Sequence, residues 1–429
     1  MPKRKGYITR QAKRLTDGEI NRRRFVMSAL SAGVTMPTAL SLASRAEAQT
    51  PKSGGTLRLA LAEAHVRDSL DPLHAETAFT RLLAFARGNA LTEMTAEGDV
   101  IGELADGFTS TSEHSRWHFD LRREVRFQNG VPFTAMHVAE TLSKASKLLP
   151  HLQEIQVDGP HRMSVTLTRP DPDLPRRLAD PRLIVVHETE HGPVGTGPYR
   201  LDAFHPGTSA ALSRVSEYWK PGRAHIDAVE MRYVPDVSRR QQAIMTGEVD
   251  YAEGLDPRAL ALLHHIPEVG VLDIATGRNI ALSASDGQHH LIGAVAGALP
   301  QKEIVDRLLL SHGAPGAPLA ASGMGRISGR LRLGVIDSGV PRSLDIARLV
   351  AKRLEDAGWP VALVTDPAQP SDIVLHWRRA PSDEGKDESV TLAWANDLSA
   401  YRAPLTHAGT VAGDAENDGA RLIERWWFA

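Results

Sequence analysis

No cysteine occurs in the 429 residues. That excludes a disulfide framework, a thiol nucleophile and a lipid-bearing cysteine at the end of any export signal. Past residue 48 no run is apolar and long enough to span a bilayer. Excess basic charge is missing too. Ten of the 50 Lys/Arg and three of the 52 Asp/Glu lie in residues 1–48, so the remainder holds 40 basic and 49 acidic residues, a net −9. Nucleic acid and anionic membrane surfaces are thereby disfavoured as partners. No G-x-S-x-G elbow is present. "GTGP" (195–198) lacks the third glycine of a phosphate loop, and Pro198 removes an N–H donor.

What is present begins with a separate leader. "NRRRFVMSALSAGVTMPTALSLASRAEA" has a basic start, an apolar run broken by Pro37, and a small-x-small end at Ala46-Glu47-Ala48. This pattern predicts a secretory signal cleaved before Gln49. Arg22, Arg23 and Phe25 fit the twin-arginine signal for folded cargo, with ordinary unfolded export as the alternative. A soluble periplasmic protein is expected.

The body alternates strands and helices. "GGTLRLALAEA" (54–64) reads as a buried strand, followed by Asp71-Pro72 and a helix ending near Gly88-Asn89. "RWHFDLRREVRFQNG" (116–130) reads as two short strands with Asn129-Gly130 as the turn. Thr134 is placed to cap a helix with Val138, Leu142, Ala145 and Leu149 inward. Ser238 is expected to open a helix stopped at Gly247. Toward the end, "RLRLGVI", a helix over 343–357 stopped by Gly358, "VALVT" and "DIVLHW" form a β-α-β-β series. The class is α/β, with open sheets flanked by helices.

Several ordered stretches carry a resemblance. "LRREVRFQNGVPFTAMHVAETL", "PVGTGPYRLDAF", "EYWKPGRAHIDAVEMRYVPD", "RRQQAIMTGEVDYAEGLDP", "KEIVDRLLLSHGAPGA" and the closing "IERWWFA" together resemble the family 5 extracytoplasmic solute-binding proteins of ABC importers for peptides, nickel and related solutes. The resemblance implies a bilobal type II periplasmic-binding-protein clamshell. It implies lobe I from residues 49–275 plus 395–429, with an inserted subdomain at about 80–190, and lobe II from 276–394. It also implies a peptide or other small solute as ligand, ABC permease subunits as partners, a monomer, no cofactor and no catalysis. The chain departs from the family in two places. "ALPQKEIVD" lacks the Asp that relatives carry, and only about a dozen polar residues join "DIVLHW" to "SVTLAWANDL". Lobe II therefore reads as shortened, and a degenerate member acting as sensor or scaffold is the alternative function.

Clefts in such folds form at strand ends and the loops beyond them. The candidates are Glu63 and His65 after the first strand, and Asn279 at the crossing between lobes. His376, Trp377, Arg378 and Arg379 stand at a lobe II strand end, with Trp394 and Asn396 on the return strand. Where peptide-binding relatives carry an aromatic and then an Asp for the ligand ammonium, Trp377 is followed by two arginines. A guanidinium fork suits a carboxylate, so the expected ligand bears one. The competing reading of each candidate is a solvated charge or a packing tryptophan.

His187-Glu188-His191 in "HETEH" satisfies H-E-x-x-H, the pattern of a zinc hydrolase. That chemistry needs a helix, so that positions i and i+4 share one face. Gly192-Pro193 follows at once, and no helix is predicted there. The paired histidines His264-His265 and His289-His290 are expected on extended segments, where neighbours face apart.

Overall fold

The computed structural model describes residues 22–31, 54–95, 99–221, 223–266, 269–284, 290–295, 298–311, 313–315, 329–335, 342–366, 368–379 and 390–402. Ala46 and Ala48, the 380–389 connection and the closing "IERWWFA" lie outside the described residues. Arg22–Ser31 is a helix with Phe25 and Ala29 buried.

One 11-stranded mixed sheet runs through the molecule. Its first part holds, in spatial order, Tyr199–His205, Ser209–Arg214, Ala228–Tyr233, the opening strand Thr56–Leu61, and Tyr251–Ala252. The middle is two long antiparallel strands, the return strand Val390–Arg402 and the crossing strand Val269–Ala284. Beyond them lie Ile373–Arg379, Leu331–Val335 and Val361–Val364, with Gly313–Pro315 paired to the return strand. The pairing of the two long strands is interrupted between Ala275 and Asn279. Buried apolar residues on either side of that break form separate clusters. Those of 280–375 pack together, apart from those built on the opening strand and on 243–269.

The opening strand is central, paired on both edges, and apolar except at exposed Thr56 and at Arg58, which bonds Asp250 at 3.0 Å. Leu57, Leu59 and Leu61 are fully buried, and it runs parallel to both Ala228–Tyr233 and Tyr251–Ala252. Ala78–Arg87 is a helix covering it; Thr77 caps its start, and it ends at Gly88 as the sequence predicts.

A separate four-stranded antiparallel sheet, in the order Ala105–Ser110, Arg116–Leu121, Arg162–Leu167, Leu152–Val157, carries the helix Ala135–Lys144. Val138, Leu142, Ala145 and Leu149 are buried in its core. Thr134 is the N-cap residue, its hydroxyl 2.9 Å from His137 Nδ1. One expectation fails here. Residues 125–127 do not pair with Arg116–Leu121, whose partners are Ala105–Ser110 and Arg162–Leu167. They instead close a small loop: Phe127 donates its N–H to Val131 O, Arg126 bridges Pro132, and Gly130 turns at φ +85°. Val125 and Phe127 are buried by the helix core, so their alternation marks burial and not strand pairing.

The "GTGP" segment packs backbone against backbone. A Cβ added at Gly195 would stand 2.1 Å from Arg87 O, and one at Gly197 2.3 Å from Arg87 C. Gln128 ties the same spot by donating to Gly197 O at 3.0 Å and Tyr199 O at 2.8 Å. Gly197→Ala is expected to cost about 2 kcal/mol by overpacking, measured as a drop in urea midpoint at unchanged m-value.

Candidate functional site

Three parallel strands of the first part end on the same side, at residues 61, 233 and 252. The loops beyond two of them line a cavity of about 740 Å³. Its first wall is Pro235, Asp236, Val237, Ser238 and Gln241, then Asp256, Arg258, Ala259 and Leu262. The opposite wall is Arg342, Ser343, Leu344 and Asp345, at the start of the helix Ser343–Asp356 that follows the strand Leu331–Val335. Both walls thus stand at carboxyl ends of parallel strands, where backbone and side-chain groups are left free for a ligand.

The first wall is held from beneath by Arg240. Its side chain is fully buried on the helix Val237–Thr246. Nε donates to Glu253 O at 2.8 Å and Nη2 to Gly254 O at 2.7 Å. Nη1 donates to Pro235 O at 2.9 Å and also to Val234 O. One guanidinium therefore fixes both loops that reach the cavity. The helix is capped by Asp236, whose carboxylate accepts from Arg239 N–H at 2.7 Å, and not by Ser238 as the sequence suggested. Its stop at Gly247, in the left-handed region, is as predicted.

The charge on the walls alternates. Asp256 caps the turn Pro257–Ala259 by accepting from Arg258 N–H at 2.9 Å, and its Oδ2 accepts from Arg258 Nη2 at 2.9 Å. Burial opposes ionisation of Asp256, but those bonds and the positive charges of Arg258 and Arg342 outweigh it. Its carboxyl is held below the ordinary range. Across the cavity, Arg342 Nη1 is 3.9 Å from Asp256 Oδ2 and Arg342 Nε is 3.1 Å from Asp345 Oδ2. Exposed Leu262 and Leu344 add one apolar side chain to each wall.

The residues singled out in the sequence fall elsewhere. Register pairing sets Asn279 between Arg378 on one neighbouring strand and Trp394 on the other. Trp377 pairs with Ile280, His376 with Ala281, Arg379 with Arg278 and Asn396 with Ala275. These seven flank the break in the long strands, so Arg378 and Trp394 are neighbours of Asn279 although 99 and 115 residues separate them from it in the chain. Glu63 Oε2 lies 3.4 Å from Ala78 N–H at a helix start, and His65 is exposed with its Nδ1 facing Arg67 N–H at 3.0 Å. Neither lines the cavity. Asp256 and Arg342, which do, follow strand ends in the way Glu63 follows the opening strand. The strand-end rule would have found them had it been applied to "YAEGLDP" and to the loop after "RLRLGVI".

"HETEH" lies on a hairpin, His187–Thr189 paired with Gly192–Val194, so its histidines do not share a helical face. The preceding "RLIVV" begins in a short 3₁₀ turn, Pro181–Leu183. Glu188 bonds Lys144 at 2.9 Å, while the His187 ring packs 5.6 Å from Phe127 and 5.4 Å from His137. Burial and the neighbouring His187 lower the pKa of His137. His264 ends a short helix, Leu260–Leu263, and not an extended segment. Among the described residues no group of three or more His, Cys, Asp or Glu could hold a metal. No described helix is long and apolar enough to cross a membrane.

The family model for bacterial extracellular solute-binding proteins, family 5, matches residues 99–328, more than half of the chain. The chain belongs to that family. The glutathione-binding protein GsiB of Shigella flexneri is 27% identical over 202 residues, 43% of this chain and 40% of that protein. The chain thus spans well under half the length of the curated relatives it matches. The fold is that of DppA from Helicobacter pylori in complex with the peptide STSA, with a TM-score of 0.71, 14% identity, 88% of this chain and 98% of that one covered. AgaA from A. tumefaciens R10 in complex with agropinic acid gives a TM-score of 0.67 at 17% identity, over 81% of this family 5 chain and 94% of that one. The type II binding-protein architecture predicted from the sequence is therefore the observed one. The similar proteins are binding proteins and not enzymes.

Proposed function

We propose that this family 5 protein is the extracytoplasmic substrate-binding component of an ABC importer. It captures a small peptide-like or carboxylate-bearing solute between two lobes and delivers it to membrane permease subunits. One observation carries the reading: the cavity of about 740 Å³ is walled from both sides of the long-strand break, by 235–262 and by 342–345. That volume suits a small ligand, and facing walls let closure be driven by contacts made only when the lobes meet. The lobes are assigned as 49–275 with 395–429 and as 276–394. The interruption in the pairing of the two long strands between Ala275 and Asn279 and the separate clusters on either side support that division. Asn279, Arg378 and Trp394 are assigned to the hinge side of the same cleft. The protein acts as a monomer in the periplasm, exported through Arg22, Arg23 and Phe25 and cleaved after Ala48.

The test is a thermal-shift screen of the exported protein with glutathione, dipeptides, tetrapeptides, opines and Ni(II)-histidine. A solute with Kd of about 1 μM, supplied at a hundredfold excess, stabilises the folded state by about 2.7 kcal/mol. At least one carboxylate-bearing compound is expected to raise Tm by several degrees, with the shift lost in Arg342→Gln. A panel without any hit refutes the importer reading.

A further inference from the structure

Arg342 occupies an unusual position. It stands at φ +69°, in the left-handed region that a branched or long side chain seldom adopts, at the N-terminus of Ser343–Asp356. Its side chain is 10% exposed, and its Nε, although 3.1 Å from Asp345 Oδ2, has no aligned hydrogen-bond acceptor. The guanidinium therefore lies nine-tenths buried in the cavity wall with a donor unused. Its contact across the cavity is Asp256 at 3.9 Å, close enough for charge attraction and too long for a hydrogen bond.

Asp256 does not depend on Arg342. Its Oδ1 accepts from Arg258 N–H at 2.9 Å and lies 3.2 Å from Arg258 Nε, and its Oδ2 accepts from Arg258 Nη2 at 2.9 Å. It can release Arg342 and remain paired. Arg342 in contrast gains from a better acceptor, since a carboxylate entering the cavity can take two parallel N–H bonds that Asp256 at its distance does not.

We propose that Asp256 is a specificity-determining residue that acts as a built-in competitor for the solute's anionic group. It holds Arg342 across the cleft, and a solute carboxylate displaces it. This inference rests on the cavity being the solute site proposed above. The solute class that follows is a carboxylate carried next to an apolar group, because exposed Leu262 and Leu344 stand on the two walls beside the pair. A neutral solute offers nothing to exchange for Asp256 and is rejected.

The absence of cysteine makes the test direct. In a Leu262→Cys, Leu344→Cys variant two spin labels report the distance between the walls. In the solute-free protein at 50 mM NaCl a single short distance is expected. In the same background Asp256→Asn, which keeps the oxygen that caps Pro257–Ala259, is expected to lengthen and broaden it, and 1 M NaCl to do the same to the parent. An unchanged distance in both overturns the cross-cleft pair. In the cysteine-free protein the probe is N-acetyl-L-leucine, followed by calorimetry. Asp256→Asn is expected to bind it about fivefold more tightly than the parent, and Arg342→Gln not at all. Equal binding by parent and Asp256→Asn overturns the competitor role, and no binding by either overturns the carboxylate assignment. Should the solute panel fail while the distance responds, the importer reading falls and the pair stands. Should a panel solute bind while distance and affinity ignore Asp256→Asn, the inference falls and the importer reading stands.

Discussion

Arg240→Ala is expected to lower Tm by about 10 °C and to weaken solute binding at the same time. Four carbonyls, of Val234, Pro235, Glu253 and Gly254, accept from this one buried guanidinium. Removing it leaves buried acceptors without a donor, at about 1 kcal/mol or more each, for a loss of about 4 kcal/mol in a lobe where 1 kcal/mol moves Tm by about 2–4 °C. The second effect follows from position. Pro235 and Asp256, which line the cavity, belong to the loops that Arg240 ties together. Lysine at this position restores charge but only three donors without the planar fork, so it should recover part of the stability and little of the affinity. Calorimetric Tm and solute titration of the two variants check this. Loss of stability with intact affinity would show that the loops hold their shape without the clamp.

Glu103 is expected to make stability fall as pH rises. Its side chain is buried, accepts from Asn89 Nδ2 at 2.7 Å and Ala90 N–H at 3.0 Å, and lies 3.4 Å from Lys220 Nζ. Burial is the main cause that pushes its carboxyl up to about 7. Lys220 acts in the opposite direction and Glu93, which shares that lysine, adds to the rise. Because the folded value exceeds the unfolded one, the folded chain binds the extra proton between about pH 4.5 and 7. This residue's favourable contribution is therefore full below the unfolded value and is lost as pH climbs through the folded one. The total is about 3 kcal/mol, at up to about 1.4 kcal/mol per pH unit. Denaturant titrations at pH 5, 6, 7 and 8 should show the decline in the parent and a flatter profile in Glu103→Gln. Parallel profiles would assign the slope to other groups. Glu103→Ala should cost about 3 kcal/mol at pH 5, because Asn89 and Ala90 keep buried donors with no acceptor.

These two residues sit where sequence reading has least purchase. Glu103 lies in none of the stretches that carry the resemblance, Arg240 lies in one without its role being marked there, and each acts on groups brought near by folding. Lys220 is 117 residues from Glu103 in the chain. Elements set by local rules were legible. Val138 and Leu142 needed only helical period, although the helix ends at Lys144 and Leu149 is buried beyond it; the stops at Gly88, Gly247 and Gly358 needed only the chemistry of helix ends, and the dismissal of "HETEH" only the Gly-Pro that follows it. Errors came where one local pattern serves two purposes. Val125 and Phe127 alternate as a strand would, yet they plug a helix core. Asp236 and Ser238 are both acceptable caps, and the turn geometry before the helix chose Asp236.

Composition, alternating pattern and the ordered family segments were enough to determine the class of this protein, its binding-protein fold and the lack of thiol chemistry, since each depends on residue type and near neighbours alone. Which loops meet at the cavity was decided only in three dimensions. The opening strand pairs with Ala228–Tyr233, 172 residues further on, and Asp256 faces Arg342 across 86 residues of chain. Such pairings depend on the closing of long loops and the packing of separate cores, and no local spacing encodes their register.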